Sequence, residues 1–285
     1  MQVAPWLSFS GAFRQTHFSG ELVENATTPR AGLALRLPGV DWFLRASYGQ
    51  YYQPPPLLTA SGSLLALVTS QNLGFIPLHG EWDEEAQVGV TIPLRGWLLD
   101  ADAFRTDARN FFDHNSVGNS NIFIPLTIGG ARIRAWELTD RSPLVWGRAR
   151  AHLAYSNQIT EGEGTITGGL TDFSPPAGFF PLDHDQRNTL AAGFFASLPW
   201  HASLAGNVAY GSGFVNGNPP PGHLPGHTTL DISAGKSFGD IYSLSINALN
   251  VANRHLLIDN SLTFGGTHYN NPREVYVEFR YRFHF

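Results

Sequence analysis

The sequence predicts an all-β fold: the wall of an antiparallel, up-and-down transmembrane β-barrel, with about twelve long strands and alternating short turns and long outer loops. Three observations carry this. Apolar and polar residues alternate with period two over long stretches. Short and long connections alternate along the chain. Many strands reach ten residues or more. A tilted membrane strand needs ~9–11 residues, whereas soluble strands average ~5–6.

The strands are expected near 4–17, 30–37, 42–52, 82–92, 97–107, 130–140, 146–157, 186–197, 202–212, 228–238, 241–251 and 273–285. In 146–157, Ala149, Ala151, Leu153 and Tyr155 share one face, while Arg148, Arg150, His152 and Ser156 share the other. Leu190, Ala192, Phe194 and Ala196 line one side of the next strand. In 228–238, Leu230, Ile232 and Ala234 oppose Asp231, Ser233, Gly235 and Ser237. The last strand, REVYVEFRYRFHF, sets Val275, Val277, Phe279, Tyr281, Phe283 and Phe285 against Tyr276, Glu278, Arg280 and Arg282. A polar second face marks half-buried antiparallel strands.

Short turns are expected at LPGV 37–40, PLRG 93–96, RSPLVW 141–146, LPWH 198–201 and FGD 238–240. Long loops are expected near 18–29, 53–81, 108–129, 158–185, 213–227 and 252–272. Compact soluble domains connect elements with ~4–6 residues, so a barrel with one tight rim and one elaborated rim fits better. An even strand number puts both chain ends on the tight rim. The ladder must close, because an open edge in hydrocarbon leaves backbone groups unpaired.

Composition agrees. Charged residues are only 14% of the chain, against about 25% in soluble proteins. Yet the longest purely aliphatic run, LLALV at 64–68, is far short of the ~20 residues of a spanning helix. The opening MQVAPWLSFSGAF lacks the positive start and cleavage pattern of a signal peptide. A net charge of -5 gives no basic stripe, so no nucleic-acid partner is expected. With no cysteine there is no disulfide or thiolate site.

Candidate lumen-facing or rim polar residues are Glu85, Asp100, Asp102, Glu137, Arg148, Arg150, Asp183, Asp185, Arg187, Asp231, Glu278 and Arg280. Val275, Val277, Phe279, Tyr281, Phe283 and Phe285 are the candidates for the lipid face and assembly signal. Trp6, Trp42, Tyr51, Tyr52, Trp82, Trp97, Tyr210, Tyr242 and Phe285 lie near strand ends, where girdle aromatics belong.

Asp183, His184, Asp185, Gln186 and Arg187 form the densest polar cluster. Carboxylates beside a histidine can bind metal or move protons. A rim cluster of ion pairs and hydrogen bonds explains them without chemistry. Asp100 and Asp102 face the same way, as glycosidase carboxylates do, but clean alternation with Leu99, Ala101 and Ala103 makes them lumen residues. GEGTITGG at 162–169 lacks the lysine of a phosphate loop. No catalytic, cofactor or metal site is expected, and no enzyme.

Several stretches together resemble the C-terminal part of a TonB-dependent outer-membrane receptor. They are TTPRAGLALRL (27–37), LRASYGQYYQPPPL (44–57), WDEEAQVGV with WLLDADAFRTDARNFF (82–90, 97–112), IPLTIGGARIRAWEL (124–138), PLDHDQRNTLAAGF (181–194), NALNVANRHLL (247–257) and the terminal phenylalanine strand. The resemblance implies an outer membrane of Gram-negative type. It implies uptake of ferric chelates, cobalamin, haem or carbohydrates through a 22-stranded barrel with an internal plug. Nothing in residues 1–30 resembles that plug or its TonB-coupling segment, so residues 1–285 are expected to be barrel alone, about half the family's strands, and not transport-competent by themselves. Expected partners are outer-membrane lipid, the barrel-assembly machinery, a small solute at the outer loops, and TonB only through a plug. A self-contained twelve-stranded pore or barrel enzyme is the alternative if 4–17 pairs with 273–285. A soluble β-rich binding protein is the alternative if the oily faces bury one another.

Overall fold

The structure is a computed structural model that describes residues 2–20, 22–56, 66, 70, 75–116, 123–170, 176–183, 185–217, 222–260 and 267–283. Twelve wall strands follow in order: β1 Leu7–Ser19, β2 Val23–Arg36, β3 Phe43–Gln53, β4 Glu81–Leu94, β5 Trp97–Ser116 and β6 Phe123–Arg141. Then come β7 Ala149–Leu170, β8 Asn188–Leu198, β9 Ala202–Gly211, β10 His227–Phe238, β11 Tyr242–Leu249 and β12 Glu274–Tyr281. Each pairs antiparallel with the next, from β1 through β12. All twelve expected strands are present.

The tight rim matches expectation. Arg95 and Gly96 turn with positive φ between β4 and β5, as do Trp146 and Gly147 before β7 and Gly239 after β10. The other rim differs. The expected loop at 18–29 is a hairpin, with Ser19 paired to Val23. The expected loops at 108–129 and 158–185 are mostly ladder, since β5 pairs with β6 out to Ser116↔Phe123 and β7 continues to Leu170. In these outer stretches polar residues fall on both faces, as in RTDARNFFDHNS at 105–116, so the oily–polar alternation that announces a strand fades while pairing continues.

These tall strands hold the only compact core among the described residues. Ala108, Leu126, Ile128, Ala131 and Leu182 are buried together, with Phe111, Ile166 and Phe180 against them. Phe180–Pro181 and Phe75–Ile76 pair onto the outer part of β7. A separate hairpin joins Leu257–Asp259 to His268–Tyr269.

Gln2–Ala4 pairs onto the start of β1, and among the described residues no pairing joins either to β12, so the ladder has two open edges. The required closure, and with it the closed twelve-stranded pore, is not what this wall forms. His184, His284 and the terminal Phe285 lie outside the described residues.

Candidate functional site

The register carries one oily row across nine strands: Leu7, Leu35, Leu44, Val90, Ala101, Leu138, Tyr155, Leu190 and Tyr210 are successive partners. The neighbouring row on the opposite face reads Ser8, Ala34, Arg45, Gly89, Asp102, Glu137, Ser156, Thr189, Gly211 and His227. A one-residue slip anywhere would exchange the faces. The oily face has no second layer: Phe13 is 77% exposed, Phe279 65% and Val277 63%. That is not the mutual burial a soluble sandwich needs.

Aromatic side chains bound this oily face. Trp136 and Tyr155 pack at 5.0 Å toward the elaborated rim. Trp97, Tyr242 and Tyr281 lie toward the tight rim, the last two 5.2 Å apart. Trp146 and Trp200, in the tight turns, are 90% and 82% exposed. Two expected girdle residues sit elsewhere. Tyr51 is on the polar face under Arg30, 4.2 Å from it, and Tyr52 is buried.

The most developed polar cluster lies on β3, β4 and β5. Arg45 donates from Nε to Asp102 Oδ1 at 3.2 Å and from Nη1 to Asp100 Oδ1 at 3.0 Å. Its Nη2 pairs with Asp102 Oδ2. Thr91 donates to Asp100 at 2.5 Å, and Gln87 to Asp102 at 3.1 Å. Arg141 Nη2 stands 3.8 Å from Asp100. Gly89 explains how Arg45 reaches across β4: a Cβ there would lie 2.8 Å from Arg45 Nε and 2.9 Å from Asp102 Cγ. Each carboxylate accepts at least two hydrogen bonds, which suits a fixed charge pattern.

Glu85 and Glu137 share this face with Asp100 and Asp102. Arg148 precedes β7 in the tight turn, and Arg150 lies within β7. Arg150, His152, Asn207, Asp231, Asn247 and Arg141 line a trough of about 670 Å³ on the same face. Glu278 and Arg280 pair at 2.8 Å. Within the expected Asp183–Arg187 cluster, the Arg187 charge acts on the Asp185 carboxylate, and the described members also find partners outside the run. Asp185 is buried and accepts from Thr160 N at 3.1 Å. Gln186 accepts from Gly213 N at 3.2 Å. Arg187 offers its carbonyl to Gln158 N at 2.9 Å. Asp183 stands by Asp113, whose carboxyl is raised mainly by burial, with the Asp183 charge adding to it.

Beyond the Trp136–Tyr155 pair, side chains fasten the outer segments. Glu24 accepts from Tyr52 at 2.5 Å and Gly80 N at 3.0 Å, and meets His79 Nδ1 at 2.7 Å. Burial alone would raise the Glu24 carboxyl, but these hydrogen bonds hold it below the usual carboxylate range. Glu81 accepts from Phe112 N at 2.5 Å. Burial pushes its carboxyl up to about 7, and neighbouring Asp83 adds to the rise.

Asparagines build the last loop. Asn250 donates to Arg254 O at 2.9 Å and Asn271 O at 3.0 Å, and accepts from Arg254 N at 2.9 Å. Asn270 accepts from Leu256 N at 2.8 Å, and Asn260 donates to Asn216 at 2.7 Å. This loop covers part of a cavity of about 570 Å³ lined by Glu137, Gln186, His227, Leu256, Ile258 and Asn270.

The residues missed from sequence are Arg45, Glu24 and the asparagines outside the NALNVANRHLL stretch, Asn216, Asn260 and Asn270. The turn at 95–96 sets Gly89 beside Asp102, but the register of β3 on β4 crosses a long connection, so Arg45 could not be placed over them. Glu24 was hidden because its segment read as a loop.

The family model described as TonB-dependent receptor-like β-barrel matches residues 1–253. The chain belongs to that family. No curated protein matches it. Solved structures similar to this TonB-dependent receptor barrel include the ferric-catecholate import receptor Fiu from Escherichia coli K12, at 14% identity and TM-score 0.66, covering 97% of this chain and 42% of that one. A mutant of the ferric enterobactin receptor PfeA from Pseudomonas aeruginosa is 14% identical with TM-score 0.71, covering 99% and 43%. The siderophore receptor PiuA from Acinetobacter baumannii is 11% identical with TM-score 0.70, covering 98% and 41%. The chain thus spans about two fifths of these receptors. Family and neighbours are transport receptors, and the barrel belongs to the Gram-negative outer membrane.

Proposed function

We propose that this wall serves in the uptake of a scarce metal chelate across the outer membrane. Its oily face meets lipid and its polar face lines the lumen. The outer hairpins and asparagine-built loop form the mouth that receives the solute. The observation that carries this is the two-faced register running in successive partners from Leu7 to Tyr210, with the Arg45–Asp100–Asp102 cluster on its polar face. Fixed charges on a lumen wall suit a polar plug, and TonB would act through that plug. Transport is therefore a property of wall and plug together. Val275 to Phe283 present the oily edge face that the barrel-assembly machinery would handle. The chelate class follows the neighbours, which include siderophore receptors and a copper transporter.

The test is solute binding by the chain inserted in lipid vesicles, read by quenching of its seven tryptophans. Saturable quenching by a ferric or copper chelate supports the reading. No response to any chelate, with insertion verified, contradicts it.

A further inference from the structure

On the oily side, the row next beyond Ala103 and Trp136 toward the elaborated rim reads Ala86, Arg105, Arg134 and Ile159. Arg105 and Arg134 are direct partners on β5 and β6. Like charges directly opposite on paired strands repel. Both side chains are open to the medium, at 54% and 49% exposure. The row beyond holds Glu84, Asp107, Arg132 and Glu161. Arg105 Nε reaches up to Asp107 at 2.6 Å, and Arg134 gives Nη2 to Glu161 at 2.7 Å. The carboxylates thus lie one row further from the oily band, and the charges in the row closest to it are both cations.

An ion-pair network for stability does not require that order. A bilayer surface does. Just outside the aromatic belt lie lipid headgroups, and basic residues there are attracted to lipid anions. Guanidinium is the cation whose planar donors fit phosphate oxygens, and it loses little hydration in doing so. A phosphate between Arg105 and Arg134 would relieve their repulsion while each keeps its carboxylate.

We propose that Arg105 and Arg134 together seat a phosphate of an outer-leaflet lipid. This rests on the lipid-face reading above. The elaborated rim is the outer rim in such barrels, so the lipid is one of the outer leaflet.

The experiment uses the full chain in mixed micelles offering lipid A, a phosphorylated acylated disaccharide, or its dephosphorylated form, with retained lipid read by native mass spectrometry. The wild type should retain the phosphorylated lipid selectively. The double variant Arg105→Gln/Arg134→Gln should bind it at least about tenfold more weakly, as expected for two lost charge-assisted contacts. Arg134→Lys should keep most of the affinity, and Arg150→Gln, on the other face, all of it. Heat-modifiable gel mobility establishes that each variant is folded. Retention undiminished in the folded double variant overturns the proposal, as does displacement by equimolar inorganic phosphate, which would mark a general anion seat. A lipid label at Phe279 separates the two readings. If it sits in the bilayer and selectivity is absent, the phosphate seat alone fails; if it sits in water, the membrane reading fails.

Discussion

Arg45 on β3 and Asp102 on β5 pair across the intervening strand β4, over the bare backbone of Gly89. The ion pair lies flat on the wall because one residue beneath it has no side chain. A methyl group on Gly89 has nowhere to go except into the pair. Gly89→Ala should therefore lower stability by about 1–3 kcal/mol, the cost of leaving partly buried charges poorly matched. The urea midpoint in lipid vesicles measures this. Unchanged stability would mean the pair is loose.

Phe279 and Glu278 are chain neighbours on opposite faces. Phe279→Arg should cost ~2–4 kcal/mol if it stands near the bilayer midplane. Glu278→Gln should cost less than about 0.5 kcal/mol. Equal tolerance in a membrane-assembly assay would remove the face assignment.

Glu24 ties β2 to Tyr52 and Gly80. Its carboxyl is held below its ordinary 4.5. Its contribution is thus complete above about 4.5 and fades as pH falls through the lower, folded value. Amide exchange at Gly80 should stay slow at neutral pH and quicken only in stronger acid. Glu24→Ala should quicken it at neutral pH, and the difference from the wild type should close in strong acid.

Glu81 has the opposite sign. Burial raises its carboxyl from 4.5 to about 7, so the folded state binds its proton more tightly. That contribution is complete below 4.5 and lost as pH rises through about 7. Urea midpoints of the wild type should fall across this window. Glu81→Gln should flatten that fall and be the more stable protein at neutral pH. Parallel curves for the two would exclude Glu81 as its source.

Much of the wall was legible because two physical constraints write to the same residues. One oily face and one polar face force period two, as in Val275, Val277 and Phe279 against Tyr276, Glu278 and Arg280. Tight turns mark where it restarts. What was not legible obeys neither constraint. Ser19 and Val23 close a hairpin in a stretch without period-two alternation, SGELVEN at 19–25, so nothing announces it. The Arg45–Asp100 contact spans 55 positions and depends on register through β4. The Asp183–Arg187 run read as one cluster because its members are adjacent in sequence. Its partners outside the run, Asp113, Thr160 and Gly213, are distant in sequence and could not be read from it.

The central claim is the two-faced wall in a membrane. The chain has no cysteine, so single cysteines can carry a nitroxide label without background. Labels at Phe13, Val88, Leu244 and Val277 should be relaxed by oxygen in the bilayer, and labels at Ser10, Gln87, Ser245 and Glu278 by a water-soluble nickel chelate. Alternation at every pair is the predicted result. Equal accessibility of the two sets to the nickel chelate would contradict the account.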